Sequence, residues 1–320
     1  MSRYDVIIYA ESKLQVQITK YLLEHVFRGR KVLVIIPDEQ YRPATQADYE
    51  CYLTRVNLHG YKKWFASLRA TAPKALPDLS CSLFIASVLT GLNSLFWEQH
   101  IQYDRLGLLD DGTGTLFSLE FGRVFESRRV ASVFRWHNLW SALSGKPGIE
   151  HSQQVRQRIS AYFSVYHKRY DPFETTHIPL FGSEPDAAIL EEYAFVGQPF
   201  VALGQLDKQD YYQMLESVSA ELGQTLTYFP HPKEDKEQLK TAPFLSVMDG
   251  VSVEEYYKDK RPQRLLSVSS SVLINLSLRF DPSFINYVPV DMPRYPDIKK
   301  YHLLMERMGV KKISESNYVS

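Results

Sequence analysis

Cysteine is nearly missing from this chain of 320 residues, which holds two, Cys51 and Cys81. Two thiols build neither a disulfide framework nor a thiolate metal cluster, and such sparing use fits a reducing compartment. Net charge is missing as well, since 37 Lys and Arg balance 37 Asp and Glu. A general nucleic-acid binder carries a clear basic excess, so that class is disfavoured. No apolar run spans a bilayer. The most apolar stretch, Leu83 to Trp97, is broken by Ser87, Thr90, Asn93 and Ser94, and it falls short of the ~20 residues required. The start, Met1-Ser2-Arg3-Tyr4-Asp5, lacks the basic segment and apolar run of a secretory signal. The expectation is a cytoplasmic protein. The nine histidines do not gather with cysteines or paired acids at ligand spacing. Nor is there an H-E-x-x-H, G-x-S-x-G or Walker-type loop, so neither a metal site nor a nucleophile elbow is expected.

What is present describes an ordinary globular chain, 44% hydrophobic and 23% charged. Its length exceeds one usual core and suggests two domains. Aromatic residues reach 13%, with 21 Tyr; such rings pack interiors, and they also stack on sugars. Asp5 to Tyr9 and Lys31 to Ile36 are apolar runs of the kind that strands buried on both faces require. Between them Leu14, Ile18, Leu22 and Val26 recur every fourth residue, a helical stripe closed by Gly29. Strand, helix and strand with short joints form a βαβ unit with parallel pairing. A further strand is expected over Ile101 to Asp110, then helices over roughly 122–144 and 151–169. Pro172, Pro179, Gly182 and Pro185 mark 170–186 as the interdomain connection. A second α/β rhythm follows, with strands at Tyr193 to Val196, Leu226 to Phe229 and Leu265 to Val268 and a helix from Tyr211 to Leu222. The expected architecture is α/β, two Rossmann-like domains facing a central cleft, as in the GT-B fold. The boundary is set at 185/186.

In such sheets ligands bind beyond the carboxyl ends of the strands, so the polar residues there matter most. Asp110-Asp111-Gly112 follows a strand. Adjacent carboxylates can act as a base or bind sugar hydroxyls, and Gly112 permits a tight turn; a plain Asp-Gly turn reads the same way. His231-Pro232 follows another strand, and prolines on both sides of the imidazole fix its backbone. Such a histidine can donate to an anionic oxygen or serve as a hydrogen-bonded structural residue. Ser269 and Ser270, at a strand-to-helix turn, offer hydroxyl and N–H donors for a phosphate or a helix cap. Glu254, at a helix start, can accept from two ribose hydroxyls or simply complement the helix dipole.

Taken in order, Asp-Asp-Gly, His-Pro and the serine run resemble the three motifs of bacterial sialyltransferases. The chain is similar in particular to glycosyltransferase family 52, the lipooligosaccharide α-2,3-sialyltransferases. The likeness runs from about residue 5 to 280 and rests on Leu109-Asp110-Asp111-Gly112-Thr113-Gly114 and Tyr228-Phe229-Pro230-His231-Pro232-Lys233. Weaker matches are Leu14-Gln15, Pro179-Leu180-Phe181 and Val253-Glu254-Glu255-Tyr256. The resemblance implies transfer of sialic acid from CMP-sialic acid, a substrate rather than a cofactor, to a galactose-terminated acceptor, with inversion and without a metal. It implies His231 as general acid on the donor phosphate, with Pro232 beside it, Ser269 and Ser270 on that phosphate, and Glu254 on the cytidine ribose. Residues 1–185 would form the acceptor side and 186–320 the nucleotide-sugar side. The family places a carboxylate after the first strand of its second domain, in a Gly-x-Pro-then-Asp context. Here Gly197-Gln198-Pro199 matches, but Phe200 to Leu206 intervene before Asp207. Asp207, ranked first for its place nearest that context, Asp210 and the pair Asp110 and Asp111 are therefore the contenders for the base. Residues 281–320 match nothing in the family pattern.

The same motifs are compatible with a transferase that builds a capsular or other sialylated polymer, and with a sugar-nucleotide-binding protein without catalysis. Oligomeric state, including a homodimer, is left open. Arg123, Arg128, Arg129 and Arg135 interleave with Phe125, Phe134, Trp136 and Trp140, as in a helix lying on a membrane surface. A domain helix that buries its aromatics against a sheet is the preferred reading. The expected enzyme is cytoplasmic and at most peripheral at the inner membrane.

Overall fold

The computed structural model describes residues 2–54, 78–90, 92–121, 152–166, 172–180 and 187–313. The chain divides into two compact units, Met1–Leu180 and Phe181–Ser320. In the first, β1 (Ser2–Tyr9) leads through α1 (Lys13–Tyr21) to β2 (Val32–Ile36) and β3 (Glu50–Leu53). Then come β4 (Leu79–Ala86), α2 (Leu92–His100), β5 (Ile101–Leu109) and α3 (Thr113–Phe121). The unit closes with α4 (Ser152–Arg156), β6 (Ile159–Ser164) and β7 (Glu174–His177). The seven strands lie in the order β3-β2-β1-β4-β5-β6-β7 and pair in parallel. Every residue of β2 is buried, as two covered sheet faces require. α1 starts at Ser12, whose hydroxyl accepts from the Gln15 N–H, and runs into a wider π turn, Leu22–Val26. Gly29, at φ 75°, provides the left-handed turn into β2.

The second unit carries β8 (Ala188–Val196), α5 (Lys208–Leu222), β9 (Leu226–Phe229), α6 (Lys236–Leu239) and β10 (Leu245–Val247). Its remainder is α7 (Val253–Tyr256), β11 (Lys260–Ser267), α8 (Ser271–Ser277), β12 (Ile285–Tyr287), α9 (Ile298–Arg307) and β13 (Lys311–Lys312). The six strands run β10-β9-β8-β11-β12-β13, again in parallel. Each unit is thus a Rossmann-like sheet with its own apolar core, one around Ile7, Phe84 and Leu108, the other around Phe195, Tyr228 and Leu266.

Two expectations needed correction. The helix expected over 151–169 ends at Arg156, and Ile159 to Ser164 is a strand paired with β5. Val155, Ile159, Tyr162 and Tyr166 have helical spacing, but all are buried beside or within a strand covered on both faces. Short apolar runs do not distinguish these two states by period. The connector expected over 170–186 contributes β7, an edge strand of Glu, Thr, Thr and His without an apolar signal. Residues 281–320, which carried no motif, supply β12, α9 and β13, and so two of the six strands of the second sheet. The helix expected over 122–144, with its arginines and tryptophans, lies outside the described residues.

Parallel order places all strand carboxyl ends on one edge of each sheet. In the first unit the chain steps outward from β1 to β2 and β3, then returns to the far side of β1 for β4. The loops after β1 and β4 therefore diverge and leave a crevice, the usual ligand position in such sheets. In the second unit the same reversal falls between β8 and β11. Among the described residues no helix is long and apolar enough to cross a membrane.

Candidate functional site

At the crevice of the first unit the two adjacent aspartates have opposite surroundings. Asp110 is fully buried. It accepts hydrogen bonds from the Gly112 N–H at 2.9 Å, the Ser164 hydroxyl at 2.9 Å and the Val165 N–H at 3.2 Å. Burial pushes its carboxyl up to about 7 against the pull of those three donors. The side chain ties β5 to the end of β6 and shapes the Gly112 turn, where φ is 78°. Its lone pairs are spent on the fold.

Asp111 faces the other way, only partly buried. Its Oδ1 accepts from Gln15 Nε2 at 2.8 Å and the Ser12 hydroxyl at 3.1 Å, and its Oδ2 from the Thr90 hydroxyl at 3.2 Å. Those donors come from the β1 and β4 loops, so the carboxylate stands at the switch point itself. Its pKa is raised, first by burial and then by the nearby Glu11, while the Ser12, Thr90 and Gln15 bonds oppose the rise. Beside it, Glu11 accepts from the Tyr9 hydroxyl at 2.9 Å and from Asn93 Nδ2 at 2.7 Å. Gln15 is buried and also donates to Ser87 at 3.0 Å. Glu11, Thr90 and Asn93 carried no motif. A polar residue directly after a strand, and a buried glutamine in an amphipathic helix, were the signals available for them.

In the second unit His231 lies at the end of β9, in a turn closed by the Glu234 N–H donating to the His231 carbonyl at 2.9 Å. The Lys233 N–H donates to His231 Nδ1 at 3.2 Å. In the neutral ring that bond leaves the proton on Nε2, so Nε2–H is the available donor. Burial, with the Lys233 charge second, lowers the imidazole pKa. Pro232 is exposed beside it. Gly197 ends β8 on the neighbouring strand and is buried against the same turn.

Ser269 and Ser270 follow β11 across the switch point from Gly197. Ser270 is buried and caps α8, accepting from the Val272 N–H at 3.3 Å. His302 of α9 pairs through Nε2 with the Val268 carbonyl at 3.1 Å, just before the serines, and stacks on Tyr287 at 4.5 Å. The C-terminal segment therefore braces this turn. Glu254 is half-buried in the first turn of α7. Phe229 at the end of β9 packs on Tyr256 and Tyr257, which draws that short helix to the carboxyl edge. The site residues His231, Gly197, Ser269, Ser270 and Glu254 thus share one sheet edge.

Asp207 does not join them in the same way. Phe200 to Leu206 coil into turns, with the Leu203 N–H donating to the Pro199 carbonyl and the Gln205 N–H to that of Phe200. Asp207 then opens α5 with its side chain 63% exposed and paired to Arg294 at 2.9 Å. Asp210 is exposed one turn on. Among the described residues no cluster of three or more His, Cys, Asp or Glu could hold a metal ion.

No known family model matches the sequence, and neither does any curated protein. Solved structures match nearly the whole chain at low identity. LpCGTa in complex with UDP is 9% identical, covering 97% of this chain and 84% of that one with a TM-score of 0.50. An α/β-galactoside α-2,3-sialyltransferase from Photobacterium phosphoreum is 12% identical, covering 98% and 99%, with a TM-score of 0.46. The spinosyn rhamnosyltransferase SpnG is 10% identical, covering 98% and 88%, with a TM-score of 0.47. At 9% identity the likeness to LpCGTa is one of fold, and it agrees with the two Rossmann-like units described above, the GT-B class.

Proposed function

We propose that the chain is a glycosyltransferase that moves sialic acid from CMP-sialic acid to a terminal galactose of a bacterial surface glycan, with inversion. The observation that carries this reading is His231, a histidine with Nε2–H as its donor, on one sheet edge with Ser269, Ser270 and Glu254. The Asp-Asp-Gly and His-Pro motifs supply the sialyl part of the reading.

Asp111 takes the proton of the acceptor hydroxyl. A carboxylate raised by burial is a better base near neutral pH than a solvated one. Asp111 is preferred to Asp110, whose oxygens hold the fold, and to Asp207, which is exposed and paired with Arg294. The bond from the anomeric carbon to the CMP phosphate oxygen breaks through an oxocarbenium-like state while the acceptor oxygen bonds from the opposite face. The electron pair leaves on the phosphate. His231 Nε2–H donates a hydrogen bond to that oxygen and keeps its proton, and the two serines donate to the phosphate. Glu254 accepts from the ribose hydroxyls. The proposed setting is the cytoplasm.

Incubation of CMP-sialic acid with galactosides, with EDTA present, should yield CMP and a sialylated product. His231→Ala should lower turnover about a hundredfold or more while CMP still binds. Turnover with UDP-sugars alone would overturn the sialyl reading. CMP binding without any product would make the protein a binder, and wild-type turnover in His231→Ala would remove the histidine from the chemistry.

A further inference from the structure

His231 is held by a residue that no motif marked. Glu234 Oε2 accepts from the His231 N–H at 2.6 Å, and the Glu234 N–H donates to the His231 carbonyl, so both backbone polar groups of the histidine end on one residue. Oε1 accepts from the Tyr228 hydroxyl at 2.8 Å. That hydroxyl lies 2.9 Å from the Tyr211 hydroxyl, which accepts from the Gln198 N–H at 3.3 Å. Both tyrosines are buried. The chain of contacts joins the loop after β8, the helix α5, the strand β9 and the histidine turn. Room for it depends on Gly197: a Cβ there would lie 2.3 Å from Glu234 Oε2 and 2.4 Å from the Tyr228 hydroxyl.

We propose that Glu234 is a positioning residue for the reaction, a carboxylate that fixes the backbone of His231 and so aims its Nε2–H at the leaving phosphate. The proposal rests on the reading of His231 as the hydrogen-bond donor to the leaving phosphate. The turn held by Glu234 sets the Lys233 N–H against Nδ1, and that contact selects the tautomer. A histidine in a loose turn would lose both the direction of Nε2 and the bond that keeps the proton there, and misplacement by about 1 Å can cost a hundredfold. The groups facing Glu234 are His231, Lys233 and Asp235 from its own loop, Tyr228 from β9, and Tyr211, Tyr212 and Lys208 from α5. The last two, with Lys233, Asp235 and Gln238 of α6, line a cavity of about 160 Å³ behind the carboxylate. Burial there raises the Glu234 carboxyl to about 7, although the His231 N–H and the Tyr228 hydroxyl pull it down. The hold on the histidine is therefore firmest above neutral pH, where the acceptor is charged.

The test compares Glu234→Ala and Glu234→Gln with His231→Ala. Glu234→Ala should lose about a hundredfold in kcat, with the donor KM little changed because the nucleotide contacts lie elsewhere. Glu234→Gln keeps an oxygen for the His231 N–H, so it should recover most of that loss and flatten the acid limb of the pH profile. Nitrogen NMR of the imidazole at pH 8 should find the proton on Nε2 in the wild-type protein, independent of any variant's folding. Titration of the ring resonance should show a second inflection near neutral pH that is lost in Glu234→Gln. A wild-type Nδ1–H tautomer, or wild-type kcat in Glu234→Ala while His231→Ala is inactive, overturns the positioning role. Wild-type turnover in both alanine variants overturns the reading of His231 instead.

Discussion

Replacing Asp110 by asparagine separates two contributions that the buried carboxyl makes to stability. Its pKa is raised from 3.8 to about 7, chiefly by burial. A group whose folded value exceeds its unfolded value binds the proton more tightly in the fold. Its contribution is therefore complete below about pH 4 and is lost as pH rises to about 7. That change corresponds to roughly 4 kcal/mol over the interval. Asparagine carries no charge and has no such slope. It also offers one acceptor oxygen where Asp110 has two, so it fails either the Gly112 N–H or the pair of donors from Ser164 and Val165. An unmet buried donor costs about 1–3 kcal/mol at every pH. The Asp110→Asn protein should be the less stable one near pH 4 and the more stable one near pH 8, with a crossing between about pH 4.5 and 6. Other shifted carboxyls, Glu234 and Asp111 among them, stay in both proteins and largely cancel in the difference. The assay is urea unfolding followed by tryptophan fluorescence, since Trp64, Trp97, Trp136 and Trp140 all fall in the first unit. Stability curves that run parallel from pH 5 to 8 would refute the account of Asp110 as a carboxylate buried at a cost.

Gly197→Ala should destabilise the second unit by about 1–3 kcal/mol, because the added methyl forces Glu234 and the buried Tyr228 apart; an unchanged circular-dichroism melt would contradict it. Asp207→Asn should alter stability by less than about 1 kcal/mol, the usual worth of an exposed ion pair, and leave turnover within a few-fold. A hundredfold loss of kcat in that variant, with Asp111→Asn fully active, would move the base from the first unit to the second.

The sequence alone carried the class of fold, because parallel strands buried on both faces must be runs such as Val-Leu-Val-Ile-Ile, and the helix between them must show an apolar stripe. It also marked His231 and the aspartate pair as candidates, since a rigid proline frame and an Asp-Asp-Gly turn are local features. It did not show β7 or β12, which are short, lie toward sheet edges and acquire their pairing from a neighbour already in place. Nor did it distinguish Asp110 from Asp111. The two are one residue apart at the end of a strand, and side chains there alternate in direction, so one turns into the sheet and the other toward the crevice. Glu234 was invisible for a related reason. Its meaning arises from Gly197, Tyr211 and Tyr228, residues on three elements that only the packing of the second sheet brings to one carboxylate. Local periodicity reports which face of an element is buried. Which donor meets which acceptor across elements is decided by tertiary packing, as the opposite surroundings of Asp110 and Asp111 show.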